Sequence, residues 1–299
     1  MNKTTMVSVI IPSYNRGSTI KLAIQSVLDQ TYKNIEVIVI DDGSTDNTEE
    51  IILELNSDKV SYYKNAKNIG ACGSRNRGIN LAKGDYIAFQ DSDDEWLPEK
   101  LERQLEFLSE EDCDIVSCSM QRIEGKKNEI YPPYVPENNS NSFNQLLFEN
   151  FTSTQTILGK KKVFENYNFD ERMPRFQDWE LMLRISLFFN LKHLNKVLVK
   201  SYLQVNSISL NAKSAIAGLK LIYNIHKEAI EKNKSIEARF NLKIAEYMLA
   251  NGENPKKYYK KTYDLSKSSK ILLFYLMSKL SLNKLLFYFK KQYFSFKNN

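Results

Sequence analysis

The residues best equipped for chemistry are Asp91, Asp93 and Asp94, three carboxylates within four positions directly after the apolar run Tyr86-Ile87-Ala88-Phe89. Like charges at that density repel one another and lose solvation when partly buried, so a strand end tolerates them mainly when a cation neutralises them. Carboxylate oxygens without a neighbouring Cys or His suit a hard ion, Mg2+ or Mn2+, which keeps open positions for the phosphates of a substrate. The same residues also fit a solvated acidic turn or a helix start before Leu97-Pro98-Glu99-Lys100, and the motif by itself does not separate these readings. A further carboxylate, Asp178, opens a segment whose apolar positions Leu181, Met182 and Ile185 describe an amphipathic helix, where an N-cap role is the plain alternative to a catalytic one.

The elements that must position these groups alternate regularly. Val7-Ser8-Val9-Ile10-Ile11-Pro12 reads as a buried parallel strand closed by proline, and Ser18 to Gln30 as a helix capped by Ser18 or Thr19. Ile35 to Ile40 predicts a second strand ending in Asp41-Asp42-Gly43-Ser44, Val60 to Tyr63 a third, Cys72 to Ala82 a helix and Tyr86 to Gln90 a fourth strand. Such alternation predicts a doubly wound α/β sheet, in which ligands sit beyond the carboxyl ends of the strands. The polar clusters at residues 12–16, 41–44 and 91–94 each follow a strand directly, so the fold should gather them at one edge. Asp114 to Met120 fits another strand, and the Asn- and Pro-rich stretch from Gly125 to Ser142 a loop of the length that covers a site. From about Ala212 the pattern is helical to the end, with helices expected over 215–232, 236–250 and 255–266.

Composition bounds the class. The chain has 299 residues, 42% hydrophobic and 26% charged, as a folded protein with a substantial core does. No run reaches the roughly 18 to 20 uncharged apolar residues of a membrane span, and no signal-peptide pattern precedes the first strand, so a cytoplasmic location is expected, with peripheral attachment to the inner face of the plasma membrane as an option. The three cysteines, Cys72, Cys113 and Cys118, have no metal-ligand spacing and read as reduced structural thiols. The net charge of +6 is unevenly spread: residues 211–299 carry 18 Lys and Arg against 6 Asp and Glu, or +12, which leaves −6 for residues 1–210. This divides the chain into a domain over 1–210 and a basic helical region over 211–299. Within residues 270–299, aromatics such as Phe274, Tyr275, Phe287, Tyr288, Phe289, Tyr293, Phe294 and Phe296 lie among lysines, a composition suited to an anionic membrane surface or to packing on the rest of the protein.

Taken in order, the motifs Val7 to Arg16, Ile38 to Asp46, Asn68-Ile69-Gly70 with Ser74 to Ile79, Asp91 to Trp96 and Gln177 to Leu181 resemble the inverting family 2 glycosyltransferases of bacterial surface-polysaccharide synthesis over roughly residues 7–210. The resemblance implies a GT-A fold, a Rossmann-like doubly wound mixed sheet, followed here by a small all-helical region. It assigns Pro12, Ser13, Tyr14 and Asp41 to the base and ribose of a nucleotide-sugar donor, with a UDP-sugar first because a carboxylate or amide fits the imide edge of uracil. It brings Arg75 to the donor phosphates and makes Asp91 and Asp93 the DXD-type element. Asp93 coordinates Mn2+ or Mg2+, Asp91 holds ribose or metal, and Asp94 supports both. Asp178 matches the catalytic base of a hexosyl- or N-acetylhexosaminyl-transferase that adds one sugar to a glycan or lipid-linked oligosaccharide acceptor. Trp179 is a candidate acceptor contact, although tryptophans beside helical patterns, Trp96 included, more often pack in the core.

One departure stands out. Many members of the family the chain resembles have a His near the stretch here reading Tyr202 to Ser209 that can complete the metal site, and neither His193 nor His226 falls there. Two other function classes compete. A nucleotidyltransferase also uses an acidic metal site on an α/β sheet, but no Gly-rich basic loop for a triphosphate follows the first strand. A non-catalytic lipid- or nucleic-acid-binding protein would use the +12 region, where no nucleic-acid recognition module is legible, so no nucleic-acid partner is expected.

Overall fold

The computed structural model describes residues 5–136, 142–202 and 211–297. They fall into two compact units, one of Met1–Arg172 with Gln177–Gln204, the other of Met173–Phe176 with Val205–Asn299.

The first unit begins with β1 (Val7–Ser13), α1 (Ile20–Leu28), β2 (Ile35–Asp41), α2 (Thr48–Glu54), β3 (Val60–Lys64), α3 (Gly70–Leu81) and β4 (Tyr86–Phe89). β1 pairs in parallel with both β2 and β4, and β2 with β3, which gives the strand order β3-β2-β1-β4. The chain therefore winds outward from β1 to β3 and then returns to the other side of β1, creating a topological switch point between β1 and β4. Every residue of β1 is buried, as expected of a β-branched run flanked by strands on both sides. Ile10 O accepts from Gln90 N at 3.0 Å, and pairing with β4 stops at Ile10–Phe89. Two residues on, Pro12 points its backbone to the same side and has no N–H with which to extend the pairing, and a switch point of this kind is where ligands of open α/β sheets bind. Helix α3 lies close over β1 because Gly78 carries no side chain: a Cβ there would meet Ile10 Cγ2 at 2.4 Å.

The unit continues with β5 (Glu95–Trp96), α4 (Lys100–Glu110), β6 (Ile115–Glu124), β7 (Lys127–Tyr131), α5 (Ser142–Phe148), β8 (Leu158–Lys160), α6 (Lys161–Asn166), α7 (Gln177–Ile185) and β9 (Leu191–Tyr202). β8 runs antiparallel to β4 and β6, β9 parallel to β6, and β5 antiparallel to β9, so the sheet of nine described strands is mixed, as the GT-A resemblance implies, while its first four strands are parallel as the doubly wound pattern predicts. A core of Val9, Ile11, Ile24, Val37, Leu101 and Val116, among others, fills the layers.

Three local expectations are corrected. Thr19 occupies the N-cap of α1 but makes no side-chain cap; the amides of Thr19 and Ile20 bond Arg16 O instead, both at 2.9 Å. The stretch from Gly125 is not loop throughout, because residues 127–131 form β7 as a hairpin with β6, while residues 137–141 lie outside the described residues. Asp178 stands inside the first turn of α7 rather than at its N-cap.

The second unit contains α8 (Ala212–Ile225), α9 (Lys227–Lys232), α10 (Lys234–Ala250), α11 (Lys256–Ser266), α12 (Ser269–Lys279) and α13 (Asn283–Lys297). Its core forms around Tyr259, Ala245, Leu249 and Leu286, with Phe274 and Tyr275 packed against it. No described helix is long and apolar enough to cross a membrane.

Candidate active site

Beyond the ends of β1 and β2 two loops interlock. After β1, Asn15 adopts a left-handed backbone (φ 52°), donates its N–H to Ser44 Oγ at 2.9 Å and accepts from Thr45 N at 2.9 Å. Arg16 N–H donates to Thr48 Oγ1 and Gly17 N–H to Asp46, at 2.8 and 3.0 Å. Ser13 and Asp41 are register partners at the ends of β1 and β2. Asp41 is fully buried and accepts from Ser44 N at 2.7 Å and from Tyr62 O–H at 2.6 Å, one on each oxygen, so each oxygen keeps a second acceptor site. Ser13 Oγ is buried and has no hydrogen-bond partner among the described residues, whereas Tyr14 is 46% exposed at the same strand end. A buried hydroxyl without a partner is costly unless a ligand supplies one.

Sequence reasoning missed the neighbouring Asp42. It is buried and accepts from Asn65 Nδ2, Ile69 N and Gly70 N, all at 2.8 Å. Asp42 thus ties the second loop to the start of α3, the helix that carries Arg75. The adjacency of Asp41 and Asp42 was legible; their division of labour depends on which way each side chain leaves the strand end.

Arg75 joins the two carboxylate regions. Only 6% exposed, it donates to Asp91 Oδ1 at 2.8 Å and to Gln177 Oε1 at 3.0 Å, and its guanidinium lies 5.4 Å from the centre of the Phe169 ring. Its Nε is buried without a hydrogen-bond partner among the described residues. Through Gln177 it fixes the start of α7, and Asp178 follows within electrostatic reach of both Arg75 and Asp91. Burial pushes the Asp178 carboxyl up to about 6, with Arg75 opposing that rise and Asp91 adding to it.

Asp93 has a different partner: Arg16 Nη2 lies 3.5 Å from its Oδ2. Burial and the charge of Asp91 raise the Asp93 carboxyl above its ordinary range, and Arg16 opposes them. Asp94 is buried more deeply and accepts from Gln155 Nε2 at 2.8 Å and Tyr202 N at 3.1 Å, so it anchors the acidic turn to β9; burial raises its carboxyl strongly.

Among the described residues no three His, Cys, Asp or Glu groups converge as a complete metal site. Asp91 and Asp93 nonetheless suit a hard cation: both are all-oxygen donors and both keep part of their surface accessible. Of the stretch expected to hold a third ligand, Tyr202 is described and residues 203–209 lie outside the described residues. His193 is buried between Ser117 Oγ and Ser119 Oγ, at 2.8 and 3.2 Å, where burial pushes its imidazole down to about 4. Trp179 is only 2% exposed and donates its indole N–H to Leu146 O at 2.8 Å, which corrects the expectation of an acceptor contact: packing leaves no ring face for a sugar. Trp96 is equally enclosed, with its indole N–H on Gln155 O.

The family model described as Glycosyl transferase family 2 matches residues 8–171. An uncharacterized glycosyltransferase of Rickettsia bellii (strain RML369-C) is 41% identical over 187 residues, covering 60% of this chain and 26% of that protein. The chain spans about a quarter to a third of the first such relatives it matches. The Escherichia coli UDP-Glc:alpha-D-GlcNAc-diphosphoundecaprenol beta-1,3-glucosyltransferase WfaP is 34% identical over 247 residues, covering 83% of this chain and 94% of WfaP. Among solved structures, S. aureus TarS 1-349 in complex with UDP-GlcNAc aligns with a TM-score of 0.63 at 20% identity, over 91% of this chain and 79% of that 1-349 chain, a likeness of fold.

Proposed function

Since the chain belongs to glycosyl transferase family 2, we propose that it moves one sugar from a nucleotide-sugar donor, a UDP-sugar first, to a hydroxyl of a glycan acceptor with inversion at the anomeric carbon. The observation that carries this reading is the position of Arg75, bonded to Asp91 at the end of β4 and to Gln177 beside Asp178. Inversion requires the acceptor hydroxyl to attack from the face opposite the departing diphosphate, so base and leaving-group stabiliser must come from separate segments. Asp178 is the base. Its elevated carboxyl is strong enough to take a proton from the attacking hydroxyl and still ionised at neutral pH.

Ser13 Oγ, Tyr14 and Asp41 receive the base and ribose beside Pro12, with Asp41 accepting from the imide N–H of uracil. Arg75 turns its cationic edge to the donor phosphates. Asp93, with Asp91, would hold Mn2+ or Mg2+, which when bound offsets charge on the departing diphosphate. Asp94 keeps the acidic turn in place through Gln155 and Tyr202.

WfaP is named for a diphosphoundecaprenol-linked acceptor, and this supports a lipid-linked acceptor here, in surface-polysaccharide synthesis. On the C-terminal helices Leu280, Leu285, Phe287 and Phe289 are exposed beside Lys279 and Lys284, a composition that suits peripheral contact with an anionic bilayer.

The test is thermal stabilisation and donor hydrolysis across a panel of nucleotide sugars, with Mn2+, Mg2+ or EDTA, on wild type and Asp93→Asn. Stabilisation by one UDP-sugar that EDTA or Asp93→Asn removes is the expected result. No response to any nucleotide sugar overturns the reading, and release of pyrophosphate from a nucleoside triphosphate would assign nucleotidyl transfer instead.

A further inference from the structure

Two carboxylates of the acidic turn, Asp91 and Asp93, each face an arginine, and the two arginines are held very differently. Arg75, opposite Asp91, is buried under Phe169 and also bonded to Gln177. Arg16, opposite Asp93, reaches across from the first loop with a side chain 37% exposed. Its backbone is fixed on three sides: Arg16 N–H on Thr48 Oγ1, Arg16 O accepting from the amides of Thr19 and Ile20, and Gly17 N–H on Asp46. The guanidinium can therefore swing about its side-chain torsions while the loop stays in place. Among the described residues Arg16 is the one cation within ion-pair distance of Asp93.

We propose that Arg16 is a resident counter-ion of Asp93 that competes with a divalent cation for this carboxylate and yields it when a nucleotide diphosphate arrives with the ion. The inference rests on the metal-dependent reading given above. A guanidinium 3.5 Å from Asp93 neutralises the charge a cation would seek and repels any cation that approaches. A diphosphate changes the balance, because it offers the displaced guanidinium an anionic partner matched to its fork of donors. Metal and nucleotide then each tighten the other's binding by the same factor, since linkage is reciprocal. The site stays closed to free metal ions and opens to the metal–nucleotide pair.

The experiment measures Mn2+ binding to the full chain, from the paramagnetic resonance signal of free Mn2+, with and without UDP. Wild type, Arg16→Gln, Arg16→Lys and Asp93→Asn are compared after thermal melts establish that each is folded. Arg16→Gln is expected to bind Mn2+ alone about fivefold more tightly than wild type, a coupling of ordinary size, and to gain less from UDP. Arg16→Lys, which keeps the charge without the fork, should stay close to wild type for Mn2+ alone and gain less from UDP, and Asp93→Asn should lose the site. Unchanged or weaker Mn2+ binding by Arg16→Gln without UDP overturns the role of Arg16 and leaves the metal site standing. Wild type that takes up no Mn2+ even with saturating UDP, while UDP itself binds, overturns the metal reading and this inference with it.

Discussion

Asp178 carries two opposed demands: a base must be ionised, yet its surroundings disfavour the charge. With its carboxyl pushed up to about 6 by burial, the transferase rate should rise with pH through about 6 and level above it, because only the deprotonated form accepts a proton. Asp178→Asn should lower kcat by about 100-fold or more while leaving UDP affinity within a few-fold, measured by turnover and by calorimetry. The same burial has a consequence for stability. A carboxyl raised above its unfolded value holds its proton more firmly in the folded state, so its favourable contribution is present at low pH and is lost as pH climbs through about 6. Asp178→Asn should therefore melt above wild type at pH 7.5, by up to about 2 kcal/mol, with the advantage gone near pH 4; equal melting at both values would contradict the buried charge.

At the scale of elements, the site depends on how closely α3 can approach β1. Gly78 permits that approach, and α3 brings Arg75 toward Asp91. Gly78→Ala must move either the helix or Ile10, and overpacking of this kind costs about 1–3 kcal/mol, measurable by denaturant unfolding. If the helix is what moves, UDP-sugar affinity falls as well. Asp42 and Asp94 work at the same level: neither is assigned to a substrate, but Asp42 fixes the start of α3 and Asp94 the turn after β4. Strand ends place chemistry accurately when the loops that leave them are held at both sides.

For the whole molecule, the opposed charges of the two halves make the ionic strength an informative variable. The full chain should sediment with vesicles of an anionic phospholipid at low salt and release as salt rises, because surface charges are screened over about 10 Å at 0.1 M. Phe287→Ser combined with Phe289→Ser should weaken this several-fold without lowering the melting temperature, since both rings are exposed. Retention unaffected by either change would remove the bilayer from the proposed reading. Phe274 and Tyr275 are poor probes because they pack within the helical core.

The amino-acid sequence by itself determined the alternation of the first four strands with their helices, the placement of Ser13, Asp41 and Asp91 at strand ends, and the family motifs in order. These follow from local patterns: β-branched runs, helical periodicity and polar clusters immediately after strands. Tertiary structure decided which groups meet. The pairing of Arg75 with Asp91 spans 16 residues and that with Gln177 spans 102, and no local pattern encodes such separations. It also decided that Trp179 is core, that β7 interrupts an expected loop, and that Asp41 and Asp42 serve different neighbours. Side-chain direction at a strand end depends on the next strand and the loop beyond it, so the residue types were legible while their partners awaited the fold.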